Sequence, residues 1–307
     1  MEWDPTQFFR EDQKKPHPFA LVILNQPLNE TALSVLRKRA LTTVCADGGA
    51  NRFFEYAKGR SQEDTDLPNT IIGDLDSITP EVRKHYEDLG VNVVQDDDQY
   101  STDFTKSLRY LREREDQILS SISSSAKSES KPLADEDEEE EEEEKEGLSI
   151  LILGGLGGRV DQAFSQIHHL YMINQSQDET SGNTGSKTRK GNLYLISEES
   201  ITIILKPGKN RIHVPGTNLS HGQLPFQPNS LNEPLLEENV GIIPLSGPAR
   251  ISTKGFQWDV ENWETAIGGQ ISTSNHIRAE TVEVETGGAV LFTLELARRL
   301  KRGRSRS

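Results

Sequence analysis

From Phe19 onward, short apolar runs alternate with segments whose apolar residues recur at helical spacing. In chain order, the first five apolar runs read FALVILN, LTTVCADGG, TIIGDLDS, VNVVQDDD and LSILILGG. The helix boundaries agree with this pattern, since Thr79 precedes Pro80 at one predicted helix start and Gly90 follows the same helix. Strands that alternate with helices predict an α/β fold with a mostly parallel, Rossmann-like sheet and helices on both faces.

The pattern changes after the run GNLYLISEES, where the helical spacing disappears. Short apolar runs then follow one another with Gly, Pro and Asn between them, as in SITIILKPG, TAIGGQISTSN and AVLFTLEL. This arrangement predicts an all-β sandwich. We therefore expect an α/β domain over residues 18–198 and a β-sandwich domain over residues 199–297.

Two polar stretches interrupt the predicted α/β domain. Residues from about 120 to 147 combine serines with the acidic run DEDEEEEEEEKE, a composition that buries too little apolar surface to offset the entropy of ordering. We expect a disordered acidic insertion there. A second polar stretch, from about 175 to 191, is expected to be a flexible loop.

The acidic run also accounts for most of the net charge. The chain has a formal charge of −15, and residues 135–146 supply ten of these negative charges. The remaining charge is ordinary for a protein domain and offers no basic groove for nucleic acid. We therefore expect small-molecule partners rather than nucleic acid.

Cysteine usage and the absence of long apolar runs bear on location. Cys45 is the single cysteine, which excludes an intrachain disulfide framework and favours a reducing compartment. No apolar run reaches the length of a membrane span, and the N-terminal residues lack a secretory-signal pattern. We expect a cytoplasmic protein without membrane partners. The basic tail, residues 298–307, is either a disordered solubilising segment or a binding site for polyanions or a nuclear import receptor.

Acidic residues stand where the predicted strands end. Asp47 follows the second strand, Asp74 and Asp76 follow the third, Asp103 follows the fourth and Asp161 follows the fifth. Ligands of open parallel sheets bind outside the carboxyl ends of the strands, so these carboxylates should converge on one edge. Any one of them alone could be a helix cap or a turn residue. Together they favour a Mg²⁺ ion held against a polyphosphate.

Two glycine-rich turns, CADGGANR and LGGLGGRVDQ, each lead from a predicted strand into a helix. Backbone N–H groups at such positions favour anions, and Arg52 and Arg159 lie close to the turns. The second turn lacks the lysine and hydroxyl of a P-loop, and its glycine spacing differs from the dinucleotide fingerprint. His168 and His169 should point in different directions on their helix, so we expect no shared metal there.

Five motifs in order carry a resemblance to a known family, and they read CADGGANR, IIGDLDSI, STDFTKSL, GGLGGRVDQ and ISTSN. From about Phe19 to Leu296 the chain resembles thiamine pyrophosphokinases of the eukaryotic, fungal-like type. The resemblance implies an α/β nucleotide-binding domain joined to a β-sandwich, and a homodimer with thiamine at the subunit interface. It also implies transfer of a diphosphate group from ATP to the thiamine hydroxyl, which gives thiamine diphosphate and AMP.

The resemblance further implies roles for individual residues. Those implied to bind Mg²⁺ are Asp74, Asp76 and Asp103, and Asp161 joins them in the catalytic set. Those implied to bind ATP are Asp47, Gly48, Asn51, Arg52, Thr102, Gly157 and Arg159. Those implied to contact thiamine are Gln99, Trp258, Ser272, Ser274 and Asn275. Trp258 would stack on a thiamine ring, although a core aromatic of the sandwich is the alternative.

The residues leave some alternatives open. Either Asp103 or Asp161 would assist removal of the hydroxyl proton. A Mg²⁺-dependent phosphohydrolase is a second function, because GDLDS is similar to the DxD motif of haloacid-dehalogenase-like phosphatases, which lies after their first strand rather than the third. A non-catalytic sensor of thiamine or nucleotide is a third, although a sensor has little need for three metal-binding carboxylates.

Overall fold

The computed structural model of the chain describes residues 1–10, 17–126, 147–180, 191–219 and 233–303. An N-terminal arm comes first, with strand β1 (Glu2–Trp3) and a short 3₁₀ helix (Gln7–Phe9). The strands that follow are β2 (Phe19–Ile23), β3 (Thr42–Ala46), β4 (Thr70–Gly73), β5 (Asn92–Gln95), β6 (Ser149–Leu153) and β7 (Leu193–Ile196). The helices between them are α1 (Glu30–Leu36), α2 (Gly49–Lys58), α3 (Pro80–Asp88), α4 (Asp103–Glu113), α5 (Glu115–Ala126) and α6 (Val160–Thr180). The predicted alternation of strands and helices is therefore present.

These strands pair in parallel in the order β5, β4, β3, β2, β6, β7. Val22 on β2 lies between Val44 on β3 and Ile152 on β6. The chain moves outward from β2 to β5 and then returns to place β6 on the other side of β2. A reversal of this kind opens a crevice at the carboxyl ends of the central strands.

The later strands are β8 (Ser200–Leu205), β9 (Gly208–His213), β10 (Thr217–Asn218), β11 (Leu236–Pro244), β12 (Ala249–Lys254), β13 (Trp263–Thr265), β14 (Ser272–His276), β15 (Thr281–Thr286) and β16 (Val290–Leu296). Four of them extend the first sheet through antiparallel pairs, from β7 to β8, β16, β11 and β14, and β10 joins β11 in parallel. The strands β1, β9, β15, β12 and β13 form a second sheet. The C-terminal part is thus β-rich, as expected.

The large sheet is mixed, which departs from the predicted mostly parallel sheet. The cause is local: three residues, 197–199, join β7 to β8, and so short a connection permits only an antiparallel hairpin. Parallel pairing therefore ends at β7. The predicted domain boundary at residues 198 and 199 lies within this hairpin, inside one continuous sheet.

Two apolar cores cover the faces of the large sheet. On one face, α1, α2 and α3 pack beside the parallel strands, and the second sheet continues the same core through residues such as Ile212 and Val284. On the other face, α4 and α6 pack through Phe104, Leu108 and Leu170. The burial of both faces explains why the central strands read as continuous apolar runs.

The N-terminal arm links the two sheets, a role that the sequence pattern did not indicate. Strand β1 pairs with β9 of the second sheet, and the Trp3 indole N–H donates to Asn210 Oδ1 at 3.1 Å. Phe8 and Phe9 are buried in the core beside Phe19. The predicted α/β domain therefore shares its core with residues that precede its expected start.

Both of the segments that we expected to be disordered or flexible lie partly outside the described residues. Helix α5 continues to Ala126 and α6 to Thr180, so each helix enters a segment that we expected to be disordered or flexible. Ile118 and Leu119 pack against the second core, which stabilises the first part of α5. Residues 127–146 and 181–190, which include the acidic run, lie outside the described residues.

The first part of the basic tail is bound to the protein surface. Arg302 pairs with Glu198 and Lys301 pairs with Glu295, while Arg299 Nε donates to the Pro234 carbonyl at 2.8 Å. These basic side chains already have partners on the protein, and residues 304–307 lie outside the described part. In the described ranges, we find no helix with the length and apolar character of a membrane span.

Candidate active site

Three carboxylates meet at the carboxyl edge of the parallel strands. Asp47 follows β3, Asp74 follows β4 and Asp103 begins α4, and one oxygen atom from each lies within 4.8 Å of the others. We call these three residues the acidic cluster. The prediction that acids from successive strand ends converge on one edge therefore holds for these three.

Asp47 is the most enclosed member of the cluster. Its side chain is fully buried, and its two oxygens accept hydrogen bonds from the backbone N–H groups of Ser77 (3.0 Å) and Ile78 (2.9 Å). Burial, together with the nearby charges of Asp103 and Asp74, raises the pKa of Asp47 to about 6, although these two hydrogen bonds lower it. Asp47 is thus a member of the acidic cluster that also holds the loop after β4 in place.

The backbone around Asp47 explains the glycines of CADGGANR. Asp47 has a φ of 42°, in the left-handed region, and α2 begins two residues later. A Cβ atom at Gly49 would lie 2.1 Å from the Ile23 carbonyl oxygen, and one at Gly48 would lie 2.3 Å from Asn25 Nδ2. Glycine is therefore required at position 49 for the start of α2 to pack closely against β2, whereas a side chain at position 48 would displace the Asn25 side chain.

Asp103 is held by the start of its own helix. Thr102 caps α4 by accepting a hydrogen bond from the Thr105 backbone N–H, and Lys106 Nζ lies 3.3 Å from Asp103 Oδ1. Burial raises the pKa of Asp103, and the Lys106 ammonium opposes this rise. A Cβ atom at Gly73 would lie 2.6 Å from the Asp47 Cβ and 3.0 Å from Asp103 Oδ1, so glycine at this position allows the acids to approach.

Asp76 lies outside the acidic cluster. Its side chain is exposed and accepts a hydrogen bond from the Ser77 hydroxyl at 2.8 Å, while its backbone N–H donates to Asp74 Oδ1 at 3.3 Å. The sequence predicted a cluster of Asp74, Asp76 and Asp103. The structure brings Asp47 into that position and places Asp76 on the rim.

The glycine-rich turn after β6 lies beside the loop that follows β2. Gly154 and Gly158 have φ values of 80° and 65°, and a Cβ atom at Gly158 would lie 2.3 Å from Gln26 Oε1. Gly157 has open space where a Cβ would point. The turn therefore presents backbone to the crevice beside the central strands.

Arg159 and Asp161 lie on this turn and pair with each other. Arg159 Nη2 is 2.5 Å from Asp161 Oδ2, both side chains are exposed, and Arg159 lowers the pKa of Asp161. The structure therefore places Asp161 apart from the acidic cluster, with its charge directed to its own neighbour.

The predicted ATP residues of α2 contact neighbouring loops. Arg52 Nε donates to Asn25 Oδ1 at 3.1 Å in the loop after β2. Asn51 donates to the Ser77 carbonyl at 2.9 Å and accepts from the Thr79 backbone N–H at 3.0 Å. Asn51 thus fixes the loop that carries Asp74 and Asp76, and Arg52 remains exposed at the crevice.

Gln99 is exposed on the loop between β5 and α4. This loop is shaped by Asp98, which accepts hydrogen bonds from the Tyr100 backbone N–H at 2.9 Å and the Ser101 hydroxyl at 2.6 Å. At the end of this loop, the Thr102 hydroxyl lies 3.4 Å from His169 Nε2 on α6. The predicted Gln99 and Thr102 therefore both lie in the residues that lead into α4.

The predicted thiamine residues lie in the β-rich part. Trp258 is 55% exposed, so it is not a core aromatic, and its ring lies 5.2 Å from the ring of His276. Asn275 is buried and exchanges hydrogen bonds with the Trp258 backbone, at 3.2 Å to the N–H and 3.0 Å to the carbonyl. Asn275 thus positions Trp258, whereas Ser272 and Ser274 lie along β14 with Ser274 exposed.

Three residues near these sites were not predicted from the sequence. Asn25 and Gln26 follow β2, where the strand order reverses, and Lys106 lies one turn into α4 beside Asp103. The spacing of Asp103 and Lys106, three residues apart on a predicted helix, was a usable signal for the last of these. The loop after β2 carried no charge to mark it.

The acidic cluster suits a hard divalent cation. Mg²⁺ prefers carboxylate oxygens, and three of them converge here from separate elements within 4.8 Å. Without a cation, like charges at this spacing repel each other, and this repulsion adds to the larger effect of burial in raising the pKa of Asp47. His168 and His169 offer no comparable site, since His169 faces Thr102 and Thr105 while His168 is exposed.

Comparison with known proteins assigns the chain to a family. A sequence model of the thiamin pyrophosphokinase catalytic domain matches residues 33–180, and one of the thiamin pyrophosphokinase vitamin B1 binding domain matches residues 229–291. Thiamine pyrophosphokinase 1 of Oryza sativa subsp. japonica is 30% identical over 300 residues, which cover 92% of each chain. Thiamine pyrophosphokinase 1 of Arabidopsis thaliana is 30% identical over 288 residues, covering 91% of this chain and 86% of the relative.

A solved structure agrees with these sequence matches. The thiamin pyrophosphokinase from Candida albicans superposes with a TM-score of 0.69 and 27% identity, over 96% of this chain and 93% of that one. Because both domain models match and the relatives cover nearly the full length, the chain belongs to the thiamine pyrophosphokinase family.

Proposed function

We propose that the chain transfers the diphosphate group of ATP to the hydroxyl of thiamine and thereby forms thiamine diphosphate and AMP. Family membership supports the reaction, because the related plant proteins are named thiamine pyrophosphokinases. The observation that carries the proposal is the acidic cluster, which lies at the carboxyl edge of the parallel sheet, after β3, β4 and β5, on one side of the crevice between β2 and β6 where the strand order reverses.

The direct test is to incubate the purified chain with ATP, Mg²⁺ and thiamine and to separate the products by chromatography. We expect AMP and thiamine diphosphate in equal amounts, and no AMP when thiamine is omitted. Formation of ADP would indicate a different kinase, and thiamine-independent release of phosphate would indicate a phosphohydrolase. Thiamine binding without turnover would indicate a sensor.

Asp47, Asp74 and Asp103 are the residues that would hold Mg²⁺, with Asp76 beside them on the rim. A bound Mg²⁺ ion supplies positive charge that offsets the charge developing on transferred phosphates. The chain's own contribution is to hold these carboxylates in place before substrates arrive. Asp47 does so through the N–H groups of Ser77 and Ile78, and Asp103 through the cap of α4.

The phosphates of ATP would lie along the glycine-rich turn after β6 and the start of α2. Gly157 leaves open space over the turn, Gly49 lets α2 start close to β2, and Gly48 makes room for the Asn25 side chain. Arg52 and Arg159 are exposed at these two places and can donate charge-assisted hydrogen bonds to phosphate oxygens. To do so, Arg159 exchanges its partner Asp161 for phosphate, which frees the Asp161 carboxylate.

Thiamine would bind at Trp258, whose exposed ring can stack on a cationic ring. Gln99, Ser272 and Ser274 would supply hydrogen-bonding groups, while Asn275 fixes the backbone of Trp258. Ile267 and Ile271 are exposed in the same β-rich part. Exposed apolar side chains of this kind favour an interface, so we propose a homodimer in which thiamine lies between subunits. Sedimentation of the purified chain tests the dimer directly.

We propose residues 18–198 as the part that binds ATP and Mg²⁺ and residues 199–297 as the part that binds thiamine. The two family models, which match residues 33–180 and 229–291, support this division. A cytoplasmic location is supported by the single cysteine, Cys45, which is buried in β3. Fractionation of cells that express the chain with and without residues 298–307 would show whether the basic tail alters that location.

A further inference from the structure

Lys106 is a fully buried cation next to the acidic cluster. Its side chain is 1% exposed although it lies only one turn into α4. Lysine is almost never buried to this degree unless an anion compensates its charge. Its Nζ lies 3.3 Å from Asp103 Oδ1, which supplies that compensation.

The ion pair with Lys106 is the only salt bridge that a member of the acidic cluster makes among the described residues. The three carboxylates, when ionised, carry a charge of −3, and one oxygen of each lies within 4.8 Å of one oxygen of the others. One ammonium beside Asp103 reduces this to −2, which equals the charge that a single divalent cation neutralises. Because Lys106 is buried, its ammonium faces Asp103 and is not exposed to a substrate in the crevice.

We propose that Lys106 is a permanent counter-ion of the acidic cluster, which stabilises the metal-free site and limits the strength with which it binds a free divalent cation. Before a cation arrives, Lys106 offsets part of the repulsion among the carboxylates. When a cation is present, the same ammonium repels it at short range in a poorly solvated place. The cation is therefore held loosely enough to enter and leave with the nucleotide.

This inference rests on the proposed function only in taking the cluster as the cation site. It concerns a residue that positions charge and does not touch the reacting atoms. The test can therefore be made without substrates, and its result stays readable whether or not the chain forms thiamine diphosphate.

The experiment replaces Lys106 by Met, which keeps the length and apolar stem of the side chain and removes its charge. Mn²⁺ alone is titrated into the full chain without nucleotide, and its binding is followed by the paramagnetic resonance signal of free Mn²⁺. We expect Lys106→Met to bind Mn²⁺ about tenfold more tightly than the unmodified chain. In EDTA the same variant should melt at a lower temperature, and Mn²⁺ should raise its melting temperature by more than that of the unmodified chain.

A matched control is Lys84→Met. Lys84 is an exposed lysine on α3 that pairs with Asp88, so the same substitution there removes a solvated charge. We expect its Mn²⁺ affinity to equal that of the unmodified chain. Unchanged or weaker Mn²⁺ binding by Lys106→Met would overturn the proposal, because Lys106 would then serve only packing or the orientation of Asp103.

The substitution could also prevent folding. In that case Lys106→Met and Lys106→Gln are each refolded with and without Mn²⁺. Recovery of the native circular-dichroism spectrum in Mn²⁺, but not in EDTA, supports the counter-ion role, since a divalent cation then replaces the lost charge. Failure of both variants in both conditions contradicts it. Absence of diphosphate transfer by the unmodified chain would count against the proposed function. The comparison of Mn²⁺ affinities would still test the role of Lys106.

Discussion

The acidic cluster and the surface around Trp258 differ in how completely one chain builds them. Asp47 is fully buried, and backbone N–H groups from one loop satisfy both of its oxygens. Asn275 holds Trp258 through its backbone, and the Trp258 ring, which lies beside the His276 ring, is 55% exposed. The part that would bind phosphate is built by side chains and backbone of this one chain, whereas the part that would bind thiamine exposes apolar surface.

This difference follows from the forces involved. Repelling carboxylates cost free energy unless the fold holds them and a cation offsets them, so their positions must be set in advance. An aromatic ring gains most when another surface covers it, and a partner subunit or the ligand itself can supply that cover. We therefore expect substitutions at the acidic edge to act on turnover, and substitutions around Trp258 to act on thiamine binding.

The largest expected effect is at Asp74. We expect Asp74→Asn to lower kcat by about 1,000-fold, because it removes one member of the acidic cluster from the position where phosphate charge is offset. The fold should persist, since Asn has nearly the same shape. Product formation at saturating ATP, Mg²⁺ and thiamine gives kcat, and circular dichroism checks the fold.

Asp76→Asn is the natural companion to this variant, because Asp76 lies two residues away and on the rim. We expect it to lower kcat by orders of magnitude as well, but to keep the affinity of the chain for Mn²⁺ alone. Asp74→Asn should lose that affinity. Near-normal turnover in Asp74→Asn would show that the acidic cluster takes no part in the reaction. Equal loss of Mn²⁺ binding in both variants would show that Asp76 also binds the cation.

The next expected effect is at Trp258. We expect Trp258→Ala to raise the KM for thiamine by about 10-fold to 30-fold through the loss of stacking, with the KM for ATP and the melting temperature unchanged. Trp258→Phe keeps an aromatic face and should recover most of the affinity. A large fall in melting temperature instead would identify Trp258 as a core residue of the assembled protein, and an unchanged thiamine KM would place thiamine elsewhere.

The position of the acidic cluster was largely predictable because strand ends are local features of the sequence. The alternation of strands and helices placed Asp47, Asp74 and Asp103 on one edge before any contact was known. The choice between Asp47 and Asp76 was not predictable. It depends on the left-handed turn at Asp47 and on hydrogen bonds to residues 77 and 78, about thirty positions along the chain.

The architecture of the β-rich part was less accessible for a related reason. Pairings such as β9 with β15 and β1 with β9 join residues far apart in sequence, and alternating patterns do not specify partners. The short N-terminal arm has no periodicity of its own, so its place in the second sheet could not be inferred. A buried lysine such as Lys106 also contradicts the usual reading of lysine as a surface residue.

A smaller effect is expected at Asn29, which links α1 to the hairpin between β7 and β8 and to Leu300. Asn29 caps α1 by accepting from the Ala32 N–H at 3.0 Å, and its side-chain amide donates to the carbonyls of Ser197, Glu198 and Leu300. We expect Asn29→Ala to destabilise the protein by about 2 kcal/mol, because it leaves buried groups without partners. Thermal unfolding measures the change.

A comparison with Thr79→Ala separates the effect of losing a helix cap from the effect of losing the hydrogen bonds of Asn29 to Ser197, Glu198 and Leu300. Thr79 also caps a helix, α3, through the Val82 N–H, but its side chain makes no link to the C-terminal part among the described contacts. We expect Thr79→Ala to cost about 1 kcal/mol or less. Equal losses in the two variants would show that Asn29 acts only as a helix cap and does not tie α1 to the hairpin between β7 and β8.

The smallest expected effect is a loss of stability in acid, which acts at the start of α4. Burial lowers the pKa of His169, and the neighbouring His168 lowers it further. The folded state therefore favours neutral His169, so its contribution to stability is complete above the unfolded pKa of about 6.5 and is lost as the pH falls below that value. His169 lies 3.4 Å and 3.5 Å from the Thr102 and Thr105 hydroxyls and packs against Phe104, so the loss acts where α4 begins.

We expect the melting temperature of the unmodified chain to fall more between pH 7.5 and pH 5.5 than that of His169→Gln, by an amount on the order of 1 °C. His168→Gln is the control, since His168 is exposed and its replacement leaves the half-buried His169 ring in place. The control should therefore keep most of the pH dependence. If His168→Gln removes the pH dependence of the melting temperature and His169→Gln does not, His168 causes the loss of stability in acid. The stability of the start of α4 then does not depend on pH in this range.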